Sequence, residues 1–197
     1  MPFNRLSIVL ALCILSCQSK QDPNANLGLA LQVQDDALEL QTDKGLVYYN
    51  NRAFTGTALS CYPNGQKAKS IHYKNGKKHG EYQKWYADGL LSFSAQYTDG
   101  KKDGKAYTWW PNGQLRSESN YTLGVPEGIQ LQWYKSGAKF KRINLVDGRE
   151  DGLQQAWREN GKIYNNYEAR NGRIFGLKRA NLCYELENEI VQNNPNP

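Results

Sequence analysis

Polar and apolar positions change places on a short period along this chain, and the pattern of change itself repeats. From Gly80 a polar run with alternating apolar positions ends in Trp85-Tyr86, followed by Ala87-Asp88-Gly89. A second extended run, Leu90 to Tyr97, leads to Thr98-Asp99-Gly100 and on to Gly104. The same succession recurs at a spacing of 24 residues without insertion. One glycine column falls at Gly56, Gly80, Gly104, Gly128, Gly152 and Gly176. A second falls at Gly65, Gly89, Gly113, Gly137 and Gly161, and a third at Gly76, Gly100, Gly124, Gly148 and Gly172. Three columns held in register mark a tandem array, which outranks any single-residue motif.

The runs between glycines are too short and too often interrupted for helical periodicity, and their extended character reads as strands. Asn-Gly and Asp-Gly at Asn64-Gly65, Asp88-Gly89 and Asn112-Gly113 predict the positive φ angles of tight hairpin turns. Each repeat is therefore expected to be a β-hairpin. The predicted fold is all-β: an elongated, single-layer antiparallel meander of hairpin repeats, with no α domain. Five residues after the first glycine stand Cys61, Trp85, Trp109, Trp133 and Trp157, and one further on stand Tyr62, Tyr86, Trp110, Tyr134 and Arg158. Neighbouring strand residues point to opposite faces, so these are two ladders. A lone hairpin is marginal in water, so stacked aromatics are expected to supply cohesion between repeats. A role in stacking against a ligand is compatible with that.

The ends differ from the array. Residues 1–16 combine a basic start, an apolar run from Leu6 to Leu15 too short to span a membrane, and the ending Ile14-Leu15-Ser16 before Cys17. They resemble a bacterial lipoprotein signal, in which Cys17 becomes the acylated N-terminus. Residues 17–26 are polar and read as a flexible tether. Gln18 is not the aspartate that retains lipoproteins at the inner membrane in enteric-type sorting. The expected address is the cell envelope, lipid-anchored at the outer membrane or surface. Residues 27–52, with alternating Leu27, Leu29, Leu31 and Val33, predict one or two capping edge strands. Residues 53–180 hold the repeats, and residues 181–197 a C-terminal cap with a disordered tail.

Composition changes this picture little. The net charge of +6 is mild, and lysines cluster at the turns Lys77-Lys78 and Lys101-Lys102, which reads as solvated loop tips rather than a nucleic-acid footprint. The two histidines lack metal-ligand spacing, and His79 shares its column with Asp103, Glu127 and Asp151, which reads as a solvated turn. Cys61 and Cys183 stand about five repeats apart, on the order of 45 Å in a straight array at the usual strand spacing. That is far beyond the roughly 7 Å a disulfide allows, so no bond between them is expected. No catalytic constellation, phosphate loop, metal site or cofactor motif appears, and no enzyme activity is expected.

The pattern carried by Gly80, Trp85, Tyr86, Gly89, Tyr97, Gly100 and Gly104 resembles the variant MORN repeat of bacterial YwqK-type, antitoxin-like proteins. The resemblance covers about residues 46 to 180. It implies an array of hairpins used as an interaction surface, with membrane or protein contacts. The expected function is a protein-interaction scaffold tethered at the envelope by its lipid. A glycan- or peptidoglycan-binding module using the Trp and Tyr ladder is the alternative, and an antitoxin-like partner of a toxin is another. Acylation at Cys17 gives the first prediction: intact mass of detergent-extracted protein should show a mature chain starting there. Cys17→Ala should stop maturation and release the protein from membranes.

Overall fold

The computed structural model describes residues 31–177. The signal segment, Cys17, the tether, Leu27, Leu29 and the segment 181–197 lie outside the described residues.

Strand β1 (Gln32–Gln34) is followed by one 3-10 turn, then by β2 (Glu39–Gln41), β3 (Leu46–Tyr49) and β4 (Arg52–Ala53). The repeats supply β5 (Gly56–Cys61), β6 (Lys67–Lys74), β7 (Lys77–Trp85), β8 (Leu91–Thr98), β9 (Lys101–Trp109) and β10 (Leu115–Thr122). They continue with β11 (Val125–Pro126), β12 (Gly128–Trp133), β13 (Lys139–Val146), β14 (Arg149–Glu150), β15 (Gly152–Trp157), β16 (Ile163–Arg170) and β17 (Arg173–Leu177). Fourteen strands form one open sheet, in chain order from β5 to β17, with β1 at its first edge. The expected antiparallel meander is present. β1 is the exception, because it pairs with β5 in parallel.

Two kinds of turn alternate; the glycines of the Asn64-Gly65, Asp88-Gly89 and Asn112-Gly113 turns take the expected positive φ, but the turns in which both residues are left-handed are the other kind. Within the repeats, the two-residue turns with both residues left-handed are Asn75-Gly76, Asp99-Gly100, Leu123-Gly124, Asp147-Gly148 and Asn171-Gly172. At the Asn64-Gly65 and Asp88-Gly89 turns only the glycine has positive φ. There the Asn64 and Asp88 side chains instead accept the amide two residues on, from Gln66 and Leu90, both at 3.0 Å. A three-residue loop ending in left-handed glycine needs one positive φ, whereas a two-residue turn of this hand needs two.

Below the left-handed turns, the column read as solvated has a bonding role. Thr55 Oγ1 accepts the Asn75 amide at 2.8 Å, Asp103 accepts that of Leu123 at 3.3 Å, and Glu127 accepts that of Asp147 at 2.8 Å. His79 occupies the same column, with Nδ1 at 3.5 Å from the Asp99 carboxylate. A side chain that accepts a turn amide offsets the cost of the left-handed backbone above it, most useful at Leu123, where a branched residue takes φ 47°.

Register pairs carry one row of side chains across the sheet: Ala58, Ile71, Tyr82, Ala95, Ala106 and Ser119. Its alanines are buried. Further along the array the strands separate at irregularities, and buried glutamines fill the gap. Gln130 Oε1 accepts the Asn120 amide at 3.1 Å, while its Nε2 donates to the Glu127 and Asn120 carbonyls at 2.9 and 3.2 Å. Gln154 repeats this with Asn144, accepting its amide at 2.9 Å and donating to its carbonyl at 2.7 Å. Each side-chain amide replaces ladder bonds that the backbone has lost, so burying it carries little penalty.

The N-terminal region is not simply an edge, as the sequence led one to expect. β2, β3 and β4 form a separate three-stranded sheet. Leu38, Val47 and Tyr49 pack against a buried cluster of Val33, Phe54, Ala58, Ile71 and Tyr73. The array is thus single-layered except at its start, where this cap makes a second layer. Burial, helped by the Asp35 charge, pushes the Tyr73 hydroxyl up to about 12. Cys61 is disulfide-bonded; the sequence had led only to the expectation of no bond between Cys61 and Cys183. That expectation had weighed one partner and assumed a straight array.

Unit-by-unit construction has a measurable consequence. Removing residues 104–127 brings Gly128 to the place of Gly104 and keeps every column in phase. That deletion should retain the β signal in circular dichroism and a cooperative melt. Removing only residues 104–115 puts a second strand where a first belongs, and this form should be unfolded.

Candidate binding surface

The seven ladder residues singled out from sequence act in two linked sets. Trp85, Trp109, Trp133 and Trp157 are half-buried, neither sealed core nor an open row of rings. Their backbone carbonyls are the acceptors for the second set. Tyr62 Oη donates to Trp85 O at 2.8 Å, Tyr86 Oη to Trp109 O at 2.6 Å, and Tyr134 Oη to Trp157 O at 2.9 Å. Trp110 holds the equivalent place and donates its indole Nε1–H to Trp133 O at 3.2 Å. The adjacent tryptophans are therefore one ordinary rung in which an indole N–H replaces a phenol O–H. Asn64 and Asn112 add parallel links, to Ala87 O at 2.8 Å and Lys135 O at 2.9 Å. Sequence showed the columns but not that one aromatic bonds the backbone of the next repeat.

A second aromatic group was not singled out. Tyr82, Phe93, Tyr97 and Tyr121 lie on one face, and lysines are interleaved with them. Lys84 is the register partner of Phe93, and Lys102 that of Tyr97. Lys78 Nζ lies 5.2 and 5.5 Å from the ring centres of Tyr82 and Tyr97. Lys84 Nζ lies 5.4 and 5.9 Å from those of Tyr82 and Phe93, and Lys102 Nζ 5.7 and 4.7 Å from those of Phe93 and Tyr121. Burial first, then the neighbouring Tyr82 and Tyr121, raises the Tyr97 hydroxyl above its ordinary value, so it stays neutral around physiological pH. Lys78 and Lys102 are thus not the solvated loop tips expected from their position. In each lysine pair one member turns outward and the next lies over the sheet, because neighbours in a strand alternate.

Beside this group, between the cap and the sheet, is a cleft of about 420 Å³ lined by Leu38, Leu40, Val47, Tyr73, Lys77 and Lys78, among others. On another part of the array Leu131, Trp133, Arg142 and Trp157 line a smaller depression of about 240 Å³. Among the described residues, no three His, Cys, Asp or Glu side chains come together to hold a metal. His72 is instead engaged with the Glu81 carbonyl at 3.0 Å.

Two segments, residues 54–75 and 102–122, match the MORN repeat variant. The matched segments cover the β5–β6 hairpin and most of β9–β10, each centred on a Pro-Asn-Gly turn. No curated protein matches the sequence. The MORN-like hairpins suggest a repeat-based binding scaffold, and ladder bonds join one repeat to the next. Each ladder bond should contribute about 1 kcal/mol net, the ordinary worth of an intramolecular hydrogen bond. Tyr86→Phe removes only the donor and should lower the melting temperature by roughly 2–4 °C for a domain of this size. Tyr107→Phe, outside the ladder, should change it little.

Proposed function

We propose that this protein is a non-catalytic, lipid-anchored envelope protein whose MORN-like array recruits a protein partner. The observation that carries the reading is the form of the surface. Consecutive hairpins offer similar aromatic and polar strips on an open sheet, whereas catalysis needs groups convergent in a concave pocket. Affinity then arises from several weak strips acting together on one partner. The half-buried Trp column supports cohesion rather than ligand stacking, because its carbonyls anchor the ladder.

Glycan binding is the second reading, favoured by the depression that Trp133 and Trp157 line, where rings and Arg142 lie together. The two readings separate by experiment. A chain lacking residues 128–151 keeps the columns in phase and removes Trp133. Its envelope partner, isolated with the full-length chain and identified by mass spectrometry, should bind it at least about tenfold more weakly, as lost multivalency requires. Equal affinity for both forms would overturn the multi-strip reading, and retention of peptidoglycan fragments in place of protein would put the glycan reading first.

A further inference from the structure

The lysine and aromatic face next to the cap is a local feature, and its chemistry narrows what it receives. Among the described residues neither Lys78, Lys84 nor Lys102 is ion-paired, although Lys69 is tied to Asp35 and Lys105 to Glu118 at 2.8 Å. Each of the three ammonium groups sits over two rings instead. Ring contacts of this kind hold a long side chain in place and leave part of the charge facing outward. The face therefore carries cations whose ordering cost has already been met, the condition that favours binding of anions.

Ring faces already covered by ammonium groups are poorly placed to stack a nucleobase or a sugar, which would have to displace the lysines. Carboxylates need no ring face. Lys78 and Lys102 stand in one column, 24 residues apart, and so two strands apart across the sheet. Two strands span roughly 10 Å, while side chains on one side of an extended peptide recur about every 7 Å. Glutamates on alternate residues of such a peptide bring carboxylates within reach of both lysines, and Lys84, on the same strand as Lys78, adds a third cation that shares the Tyr82 ring with Lys78 and the Phe93 ring with Lys102. The cleft formed by Leu38, Leu40, Val47 and Tyr73 opens beside Lys78 and has room for an apolar side chain. The lysine column is confined to this end: its next members are Pro126 and Glu150.

We propose that this face receives an extended acidic segment of a partner protein, with one apolar side chain of that segment seated in the cleft. The proposal rests on the protein-scaffold reading and names the partner's chemistry. Its test uses the full chain and a fluorescent peptide of alternating glutamate and serine with one central leucine, followed by anisotropy. Binding should weaken as salt rises, since exposed charges are screened within about 8 Å at physiological ionic strength. Lys78→Gln and Lys102→Gln should each weaken it roughly two- to fivefold, the range of an exposed ion pair. Lys78→Arg should restore it, and Lys105→Gln, on the opposite face, should leave it unchanged. Replacing the peptide's leucine by serine should weaken it again. The proposal is overturned if the peptide does not bind, if its glutamine counterpart binds as well, or if Lys105→Gln weakens binding as much as Lys78→Gln. It is equally overturned if polygalacturonate, single-stranded DNA or phosphatidylglycerol vesicles compete as well as the unlabelled peptide at equal charge. Partner capture that persists without peptide binding sinks this proposal alone, while loss of capture sinks the scaffold reading beneath it.

Discussion

A sheet one layer thick has nothing above or below it to exclude water, so its stability rests on how each hairpin is tied to the next. Here the tie is a hydrogen bond from an aromatic side chain to the backbone of the following repeat, at Tyr62, Tyr86, Trp110 and Tyr134. The donor's ring contributes apolar contact area and its polar end reaches a carbonyl at the strand's end, where the following turn leaves it available. Everything regular about the array follows from repeating this link. Insertion of one residue into a strand between two rungs, unless a bulge absorbs it, would move donor and acceptor to opposite faces.

The two turn types divide the work of holding that period. Left-handed pairs such as Asp99-Gly100 reverse the chain in two residues, and the column of Thr55, Asp103 and Glu127 supports three of these turns by accepting their amides. Loops such as Pro63-Asn64-Gly65 take one left-handed glycine and use asparagine to bond both within the loop and to the next repeat. Irregularities in the strands leave ladder bonds unmade, and Gln130 and Gln154 supply them from the side. The interior of this sheet is thus partly polar, and its buried amides are satisfied.

Asymmetry enters at the first end. The cap of β2–β4 buries Phe54, Ile71 and Tyr73 where, among the described residues, the fold has two layers. The same layer makes one wall of a cleft, and the lysines of the next repeats form the surface beside it. A repetitive scaffold acquires a distinct site where the repetition is broken by an added layer and by a change of residue in one column.

The 24-residue period, the hairpins, the antiparallel order and the two aromatic columns were legible in the sequence, because glycine and strand alternation are local properties that repetition amplifies. The roles of particular columns were less so. That Asn75-Gly76 rather than Asn64-Gly65 takes the fully left-handed turn depends on loop length, which neighbouring strands set by their register. The support given by Asp103 and Glu127 spans 20 residues and exists only once a hairpin has closed. The parallel pairing of β1, the second layer and the gathering of Lys78, Lys84 and Lys102 over four rings were decided by tertiary structure alone. A local pattern specifies which side of a strand a residue occupies, but which strands lie beside it, and what covers them, is settled by contacts between residues far apart in the chain.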